Sequence, residues 1–526
     1  MTTAHHRPEP SHLHPVGPSG RPVIRVGSDP ETIRVLGQAL NDRIIPDSYV
    51  TDGEPVVIEE VSGAGDVTAG DEDAPLPKAI SVLRPPLLAS LLAGHVDVVD
   101  DKGEVAPKRE VLASVLAPRS WPGLPRLRRI ISTPMLRPDG TLLQQPGYDP
   151  ATGYFLTVSQ PLDPIPDTPT PAQVDEACAF LLDQFLADFP WRTDADRANY
   201  LALLVTPIIR PYTRALSPFG VIDATMPGSG KTILTSCVGL MIGQRVLTWT
   251  DSEDELRKAI TTVMPDQVGA VVFDNLEEGT VVNSANLARL MTEQTWTDRR
   301  LGTNSAATYP NDKLWLATGN NLRVGGDMAS RTVWVQLDPD CPRPEARTGF
   351  TIPNLDSWIL DPANRAVVLR HVLILILDWT AHGAPVSTSV PVMRQFTRWA
   401  RMVGGFLEHH GIPAFLANAE TSRSLDEDAA EWRAFLLRWD TLHCGARLSA
   451  NQLRQTAEVG MSGSDPWGGC FPARPSGMPY TVRALGKLLT GQLDRWRGDV
   501  VLRSAVDTHL GARTYWVERQ DADSPD

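Results

Sequence analysis

Apolar residues follow two different spacings along the chain, and the changes between them separate its regions. Short apolar runs on either side of a helical pattern at 31–40 predict strands, and together they indicate a small α+β region over 21–165. Helical periodicity at 174–185 leads into a segment, from about 218 to 340, in which strands alternate with helices. That alternation predicts an α/β fold over 166–345, with a mainly parallel sheet as the middle of three layers.

The carboxy-terminal part of the chain changes character twice. Apolar helical patterns predict a helical lid and connector over 346–445. Two further helix signals, the second at 481–496, precede two strand-like runs, and this order resembles a winged helix over 446–520. The terminal segments 1–20 and 521–526 are expected to be tails without packed structure.

The composition indicates a globular protein of several domains. Of 526 residues, 42% are hydrophobic and 21% are charged, which excludes a wholly disordered or fibrous chain. The net charge of −14 disfavours a broad basic surface, so any DNA contact must be local. The five cysteines form no C-x-x-C pair, which indicates neither a disulfide framework nor a zinc cluster and fits a cytoplasmic protein. No apolar run approaches the roughly 20 residues of a membrane span, so no membrane contact is expected.

The strand pattern at 219–224 leads into Thr225-Met-Pro-Gly-Ser-Gly-Lys-Thr232 and then into a helix signal. This order is typical of a P-loop, in which backbone N–H groups and a helix N-terminus bind phosphate. The residues predicted to bind ATP are Pro227, Gly228, Ser229, Gly230, Lys231 and Thr232. Lys231 is expected to reach the β and γ phosphates, and the Thr232 hydroxyl to ligate Mg²⁺. One departure is Thr225, which stands where the first glycine of the motif is usual.

Two later strand patterns end in polar side chains suited to ATP hydrolysis. Asp274 occupies the position of a Walker B aspartate, which holds Mg²⁺ and its water shell. Asn275 follows it where many ATPases have a glutamate, so Glu277 is the favoured group to orient the attacking water, with Glu278 as the alternative. Asn320 ends the next strand pattern, where its amide is expected to sense the γ phosphate; a plain asparagine turn is the alternative.

These motifs, with Ala-Thr-Gly-Asn-Asn321 and Gly-Asp-Met-Ala-Ser-Arg331, resemble the AAA+ motor of phage and mobile-element replication proteins, close to superfamily 3 and D5-type helicases. The resemblance is rich in motifs over 130–345. It implies a ring, expected to be a hexamer, with each ATP between two subunits. Arg331 would then be an arginine finger acting in trans, with Arg323 as the second candidate and a surface ion pair as the alternative role. Members commonly carry a primase domain, but no clear set of polymerisation carboxylates occurs here, so primase or polymerase would be a separate partner.

Two segments are candidates for DNA contact. In this helicase group a β-hairpin between Walker B and the next strand enters the ring channel, which implicates Arg299, Arg300 and Lys313. The alternative role for these basic residues is to form salt bridges with the neighbouring Asp298 and Asp312.

The second segment, 474–519, holds eight Lys/Arg and four Asp/Glu, a local net charge of +4. It implicates Arg483, Lys487 and Arg513 in DNA binding, and a protein-docking winged helix is the alternative.

The expected function is therefore an ATP-dependent, ring-forming DNA helicase or replication initiator ATPase. Two other functions stay open at this point. One is a P-loop ATPase that remodels or loads a protein partner, including a host-defence NTPase. The other is a nucleotide-dependent scaffold with weak hydrolysis, which Asn275 suggests.

Overall fold

The computed structural model describes most of the chain, in these ranges: 16–17, 19–61, 78–157, 162–299, 306–339, 343–419, 427–460, 465–472, 479–494, 496–497, 500–507 and 512–519. The tail predicted at 521–526 lies outside them, as does most of the tail predicted at 1–20. Within these ranges, no helix has both the length and the apolar character that crossing a membrane requires.

The amino-terminal part has mixed helices and short strands, in agreement with the predicted α+β region. Its elements are β1 (Val23–Arg25), α1 (Asp29–Asn41), β2 (Ser48–Thr51), β3 (Glu54–Glu60), β4 (Lys78–Val82), α2 (Pro85–His95), β5 (Asp97–Asp100), β6 (Gly103–Glu104), α3 (Arg109–Val115), β7 (Arg129–Ile131), β8 (Met135–Leu136), β9 (Leu142–Leu143), β10 (Gly147–Asp149) and β11 (Tyr154–Leu156). The helices α1, α2 and α3 pack around a separate apolar core that includes Leu36, Leu88 and Leu112.

The middle of the chain alternates strands and helices as the sequence predicts. Its elements are α4 (Pro171–Phe180), α5 (Asp194–Thr213), β12 (Phe219–Ala224), α6 (Lys231–Ile242), β13 (Gln244–Leu247), α7 (Glu253–Val263), β14 (Ala270–Leu276), β15 (Val281–Val282), α8 (Ala285–Thr292), β16 (Thr295–Arg299), β17 (Ala306–Pro310), β18 (Leu314–Asn320), β19 (Arg323–Val324) and β20 (Thr332–Leu337). Five of these strands form one sheet in the order β13-β14-β18-β12-β20. All neighbouring pairs in it are parallel, which confirms the predicted parallel sheet.

Strand β12 is buried along its whole length, and so is β20, the strand at one edge of the sheet. Since all strands run in the same direction, their carboxyl ends meet at one edge. In open α/β sheets, ligands bind in the crevice at that edge. The loops after β12, β14 and β18 all leave the sheet there.

The helical segment after the sheet consists of α9 (Leu355–Trp358), α10 (Pro362–Ala381) and α11 (Thr397–His409). Asp361 begins α10 by accepting a hydrogen bond from the Ala363 N–H, with Pro362 at the first helical position. Most of α10 is buried, and α10 and α11 contribute to the same apolar core as the sheet. This helical segment therefore shares one apolar core with the parallel sheet.

The carboxy-terminal elements have their own core. They are α12 (Glu427–His443), β21 (Leu448–Ser449), α13 (Ala450–Gly460), α14 (Val482–Thr490), β22 (Trp496–Arg497), β23 (Val500–Asp507) and β24 (Ala512–Arg519). The strands form an antiparallel sheet in the order β21-β24-β23-β22. The helix predicted at 481–496 ends earlier, with Gly491 as its C-cap, and Trp496 lies in a strand.

Candidate nucleotide-binding site

The predicted phosphate loop, 225–232, joins β12 to α6 at the carboxyl edge of the sheet. Gly228 and Gly230 have φ angles of 73° and 97°, a backbone region that glycine adopts without steric cost. Gly230 is the N-cap of α6, so Lys231 and Thr232 are its first two residues. The unpaired N–H groups of this first turn carry the positive end of the helix dipole, which favours a bound anion.

Thr225 ties the start of this loop to the neighbouring strand. Its N–H donates to the Leu337 carbonyl at 3.2 Å, and its hydroxyl donates to Asp338 Oδ1 at 3.0 Å. A glycine could not make the second bond. The departure from the usual first glycine thus fixes the loop to the end of β20.

Lys231 and Asn320, 89 residues apart in sequence, meet at this edge. The Lys231 ammonium donates to Asn320 Oδ1 at 2.6 Å. Lys231 is only 8% exposed, and burial lowers its pKa, while the carboxylates of Asp223 and Asp274 act in the opposite direction. Three residues predicted separately, Lys231, Asp274 and Asn320, therefore lie in one electrostatic environment.

Asp223 is a member of this environment that sequence reasoning missed. It lies in β12, is 5% exposed, and accepts a hydrogen bond from the Leu322 N–H at 2.9 Å. Burial raises the pKa of its carboxyl to about 6. A signal was present in the sequence, since a carboxylate in an otherwise apolar strand is costly unless it has partners.

Thr318 holds the Walker B position in place. Its hydroxyl donates to Asp274 Oδ1 and accepts a hydrogen bond from the Asn275 N–H at 2.8 Å. Asn275 has a φ of 53°, and the register between β14 and β18 shifts between Phe273 and Leu276. Asparagine tolerates this left-handed conformation better than most residues. Asn275 thus has a backbone role that the sequence did not reveal.

The two candidate water-orienting carboxylates lie in the turn after β14. Both Glu277 and Glu278 are exposed. Glu278 accepts a hydrogen bond from Asn321 Nδ2 at 2.8 Å, and the Gly279 N–H donates to the Asn320 carbonyl at 3.1 Å. These bonds hold the turn against the tip of β18, close to the phosphate loop.

Arg331 lies at the opposite edge of the sheet from its own phosphate loop. It directly precedes β20, whose first residue, Thr332, is level with Phe219 at the start of β12. The phosphate loop follows the other end of β12, at Ala224. Since a strand rises by about 3.3 Å per residue, that end is roughly 17 Å from Phe219. The Arg331 guanidinium donates to the Ala288 carbonyl and pairs with Asp327 at 3.2 Å. Within one subunit, Arg331 is therefore far from the phosphate loop.

A β-hairpin is present where the sequence predicted one. Strands β16 and β17 pair antiparallel, with Arg299 opposite Ala306. Arg299 is exposed, whereas Arg300 lies outside the described residues. The Asp298 carboxylate pairs with Arg257 of α7 at 2.7 Å, so the side chain of this acidic neighbour is directed to a different arginine.

Lys313 corrects one DNA-contact prediction. It is 2% exposed, and its ammonium donates to the carbonyls of Asp266 at 2.7 Å and Val268 at 3.4 Å. Burial lowers its pKa to about 8. The neighbouring Asp312 pairs with Arg129 at 3.3 Å. Lys313 belongs to a buried charged cluster beneath the hairpin, and we withdraw it from the predicted DNA contacts.

The predicted basic residues of the carboxy-terminal part are on its surface. Arg483 and Lys487 are exposed and four positions apart on α14, whose Leu485 and Leu489 are buried in the local core. Arg513 is also exposed, on β24. The helix therefore presents one basic face to solvent.

Comparisons with known proteins give weak structural similarity only. No protein-family model matches the chain, and no curated protein matches it in sequence. Among solved structures, the apo NrS-1 C-terminal region is 12% identical over 73% of this chain and 84% of that chain, with a TM-score of 0.34. A second structure of that region is 11% identical over 62% and 68%, with a TM-score of 0.31. The JCV helicase is 16% identical over 48% and 72%, with a TM-score of 0.21. Similarity this low carries no argument, so the proposals below depend on the geometry of this chain.

Proposed function

We propose that this chain is an AAA+ ATPase of the superfamily 3 or D5-like type, which binds ATP and Mg²⁺ at the phosphate loop and acts as a DNA helicase or replication initiator of a phage or mobile element. The 2.6 Å contact between Lys231 and Asn320 carries this proposal. It brings a phosphate-loop lysine to a strand-tip amide, next to β14, which holds Asp274 near its carboxyl end. An ordinary glycine-rich turn would not require these three groups at one edge of a sheet.

The residues at this edge fit a Mg²⁺–nucleotide complex. Thr232 presents an exposed hydroxyl at the second position of α6, and Asp274 is a half-buried carboxylate on the adjacent side of the site. Oxygen ligands of this kind suit Mg²⁺, which neutralises phosphate charge when bound. Glu277 is the proposed group that orients the attacking water, and Asn320 the group that senses the γ phosphate.

The position of Arg331 supports a site shared between subunits. A cation so distant from its own phosphate loop can reach a nucleotide only on a neighbouring copy. Head-to-tail contacts between one edge of a subunit and the other edge of the next generate a ring when the rotation between subunits closes. We propose a ring, with six subunits as the expected number, in which Arg331 acts in trans and Arg323 is the second candidate.

Two surfaces support DNA as the partner. The hairpin of β16 and β17 presents Arg299 to solvent, and Arg300 is proposed to act with it. In the carboxy-terminal part, three helices and an antiparallel sheet follow the order expected of a winged helix, with Arg483, Lys487 and Arg513 exposed. A primase or polymerase would be a separate partner.

A protein-remodelling ATPase is the second candidate, and the net charge of −14 favours it. The two functions differ in their response to DNA. We therefore propose measuring Mg²⁺-dependent ATP turnover with and without forked DNA, and strand displacement on the same substrate. The helicase proposal predicts turnover stimulated by DNA, together with strand displacement.

The matched control is Lys231→Ala, which should abolish turnover and weaken nucleotide binding. Turnover that DNA does not change would favour the protein-remodelling function instead. Near-normal turnover in the Lys231→Ala protein would contradict the site itself, and binding of ATP without turnover would favour a scaffold.

A further inference from the structure

Four polar side chains meet where helices α10 and α11 end, away from the phosphate loop. Asp378 lies in the last turn of α10, and His382 is the C-cap of that helix. His409 is the last residue of α11, and His410 is its C-cap. The Asp378 carboxylate is 2.8 Å from His409 Nε2, 3.4 Å from His382 Nδ1 and 3.4 Å from His410 Nε2.

We propose that Asp378, His382 and His409 bind a divalent transition-metal ion of the zinc type, with His410 as the fourth ligand. One ligand atom from each of the first three residues lies within 4.8 Å of the others. In a tetrahedral zinc site, neighbouring ligand atoms are about 3.3 Å apart, because each is about 2.0–2.1 Å from the metal. The observed separations need only small side-chain movements to reach that geometry, and two or three imidazoles with a carboxylate suit zinc.

His410 supplies independent support, because its Nε2 atom is buried without a hydrogen-bond partner among the described residues. Its side chain is 1% exposed. The Nδ1 atom lies 2.8 Å from the Phe406 carbonyl, which makes Nδ1 the donor and leaves a lone pair on Nε2 in the neutral ring. In that neutral ring the Nε2 lone pair faces the Asp378 carboxylate 3.4 Å away, so a cation between the two atoms would bind both.

The helix ends add a second electrostatic reason. Both α10 and α11 finish at this cluster, and the carboxyl end of a helix carries negative partial charge. The negative ends of two helices and one buried carboxylate, with Asp378 only 7% exposed, favour a positive ion at the same place. Metal-binding histidines commonly donate their other ring nitrogen to a carbonyl, as His410 Nδ1 is placed to do toward Phe406.

The bound ion would clamp the end of α11 to the end of α10. The chain that follows α11 contacts the sheet-bearing core within ten residues. The Leu416 N–H donates to Asn199 Oδ1 at 3.0 Å, and Asn418 Nδ2 donates to Asp196 Oδ1 at 2.8 Å. Both acceptors lie on α5, which packs against the sheet. A metal at this cluster would therefore stabilise the attachment of the helical segment to the core, whatever the ATPase acts on.

The test is zinc binding by the full chain, with excess Mg²⁺ present to fill the phosphate-loop site. The parent protein for all measurements carries alanine in place of His5, His6, His12 and His14, because these tail histidines could bind zinc by themselves. The variants are His382→Gln and Asp378→Asn. His382 has a side chain that is 59% exposed, so its replacement does not disturb the core. The matched control is His95→Ala, which removes an exposed histidine of α2.

We expect the parent to retain one zinc ion per chain after dialysis, measured by atomic spectroscopy, and to give a tetrahedral Co²⁺ absorption band. Each variant should bind zinc at least about 10–100-fold more weakly and lose that band, whereas His95→Ala should behave as the parent. Zinc should raise the Tm of the parent and not that of His382→Gln. A parent without zinc, or variants that bind it as the parent does, would overturn the proposal.

Discussion

The Lys231 ammonium lies among groups from three different strands. Asp223 is on β12, Asp274 on β14 and Asn320 on β18, and the lysine hydrogen-bonds to the last of these. In this arrangement the lysine is held in position at the proposed nucleotide site. Phosphoryl transfer depends mainly on such positioning and on charge stabilisation.

Replacement of Asn320 by alanine should separate binding from turnover. We expect Asn320→Ala to bind nucleotide almost normally, because the phosphate loop and Lys231 remain, and to lower kcat by about 10²–10³-fold, a loss typical of one transition-state contact. Steady-state ATPase kinetics and nucleotide titration measure the two effects. The matched control is Asn321→Gly, which removes an amide bonded to Glu278 and keeps a residue suited to the φ of 50°. Equal losses in both variants would contradict the role of Asn320.

Asp223 should make stability depend on pH in an unusual direction. Its pKa is raised from 3.8 to about 6, so the folded protein binds this proton more tightly than the unfolded chain does. The free energy of unfolding therefore falls as pH rises from about 4 to 6. Asp223→Asn should remove this fall and gain on the order of 2–3 kcal/mol at pH 7, relative to the natural chain. Denaturant unfolding of the natural chain and of Asp223→Asn at pH 4 and pH 7 measures this difference. The same pH dependence in both proteins would contradict the effect of burying Asp223.

Among the elements, α14 is the best place to test DNA binding without disturbing the fold. The carboxy-terminal core includes Trp432, Phe435 and Trp439 of α12, so a truncation near residue 440 would expose aromatic side chains. Point variants on the exposed face avoid this. Arg483 and Lys487 do not contribute to that core.

The double variant Arg483→Ala and Lys487→Ala should weaken DNA binding and leave basal ATPase activity intact. Because each phosphate contact contributes a slope of roughly −0.7 to −0.9 in log affinity against log salt, the slope should flatten by about 1.4–1.8 units. Binding titrations at several salt concentrations measure this. Lys102→Ala with Arg109→Ala changes the net charge equally on an exposed amino-terminal surface and should leave the slope unchanged. Identical slopes for both double variants would favour a docking role for α14.

The elements also show which features the sequence could predict. The phosphate loop and the parallel sheet follow from local spacing, because glycine positions and apolar runs are encoded within a few residues. The roles of Asp223 and Thr318 depend on contacts between strands, so local patterns do not reveal them. The same reason explains the error at Lys313. The basic hairpin pattern predicted it at the surface, whereas the fold buries it.

For the whole molecule, the three largest of the five apolar cores among the described residues lie in the amino-terminal region, in the sheet with its helices, and in the carboxy-terminal region. The cluster at Asp378 shows what only the assembled fold reveals, since its side chains come from two helix ends without a shared motif. The position of Arg331 has the largest consequence at this scale. If Arg331 acts in trans as proposed, the catalytic site is shared between two subunits.

Complementation between two inactive variants tests this central claim most directly. Lys231→Ala subunits should lack a working phosphate loop, and Arg331→Ala subunits should bind ATP without hydrolysing it, so neither should turn over alone. In a randomly mixed ring of equal parts, about a quarter of the interfaces pair an intact loop with an intact arginine. The account predicts that mixing restores about that fraction of the natural turnover. No recovery in rings shown to contain both variants would contradict it.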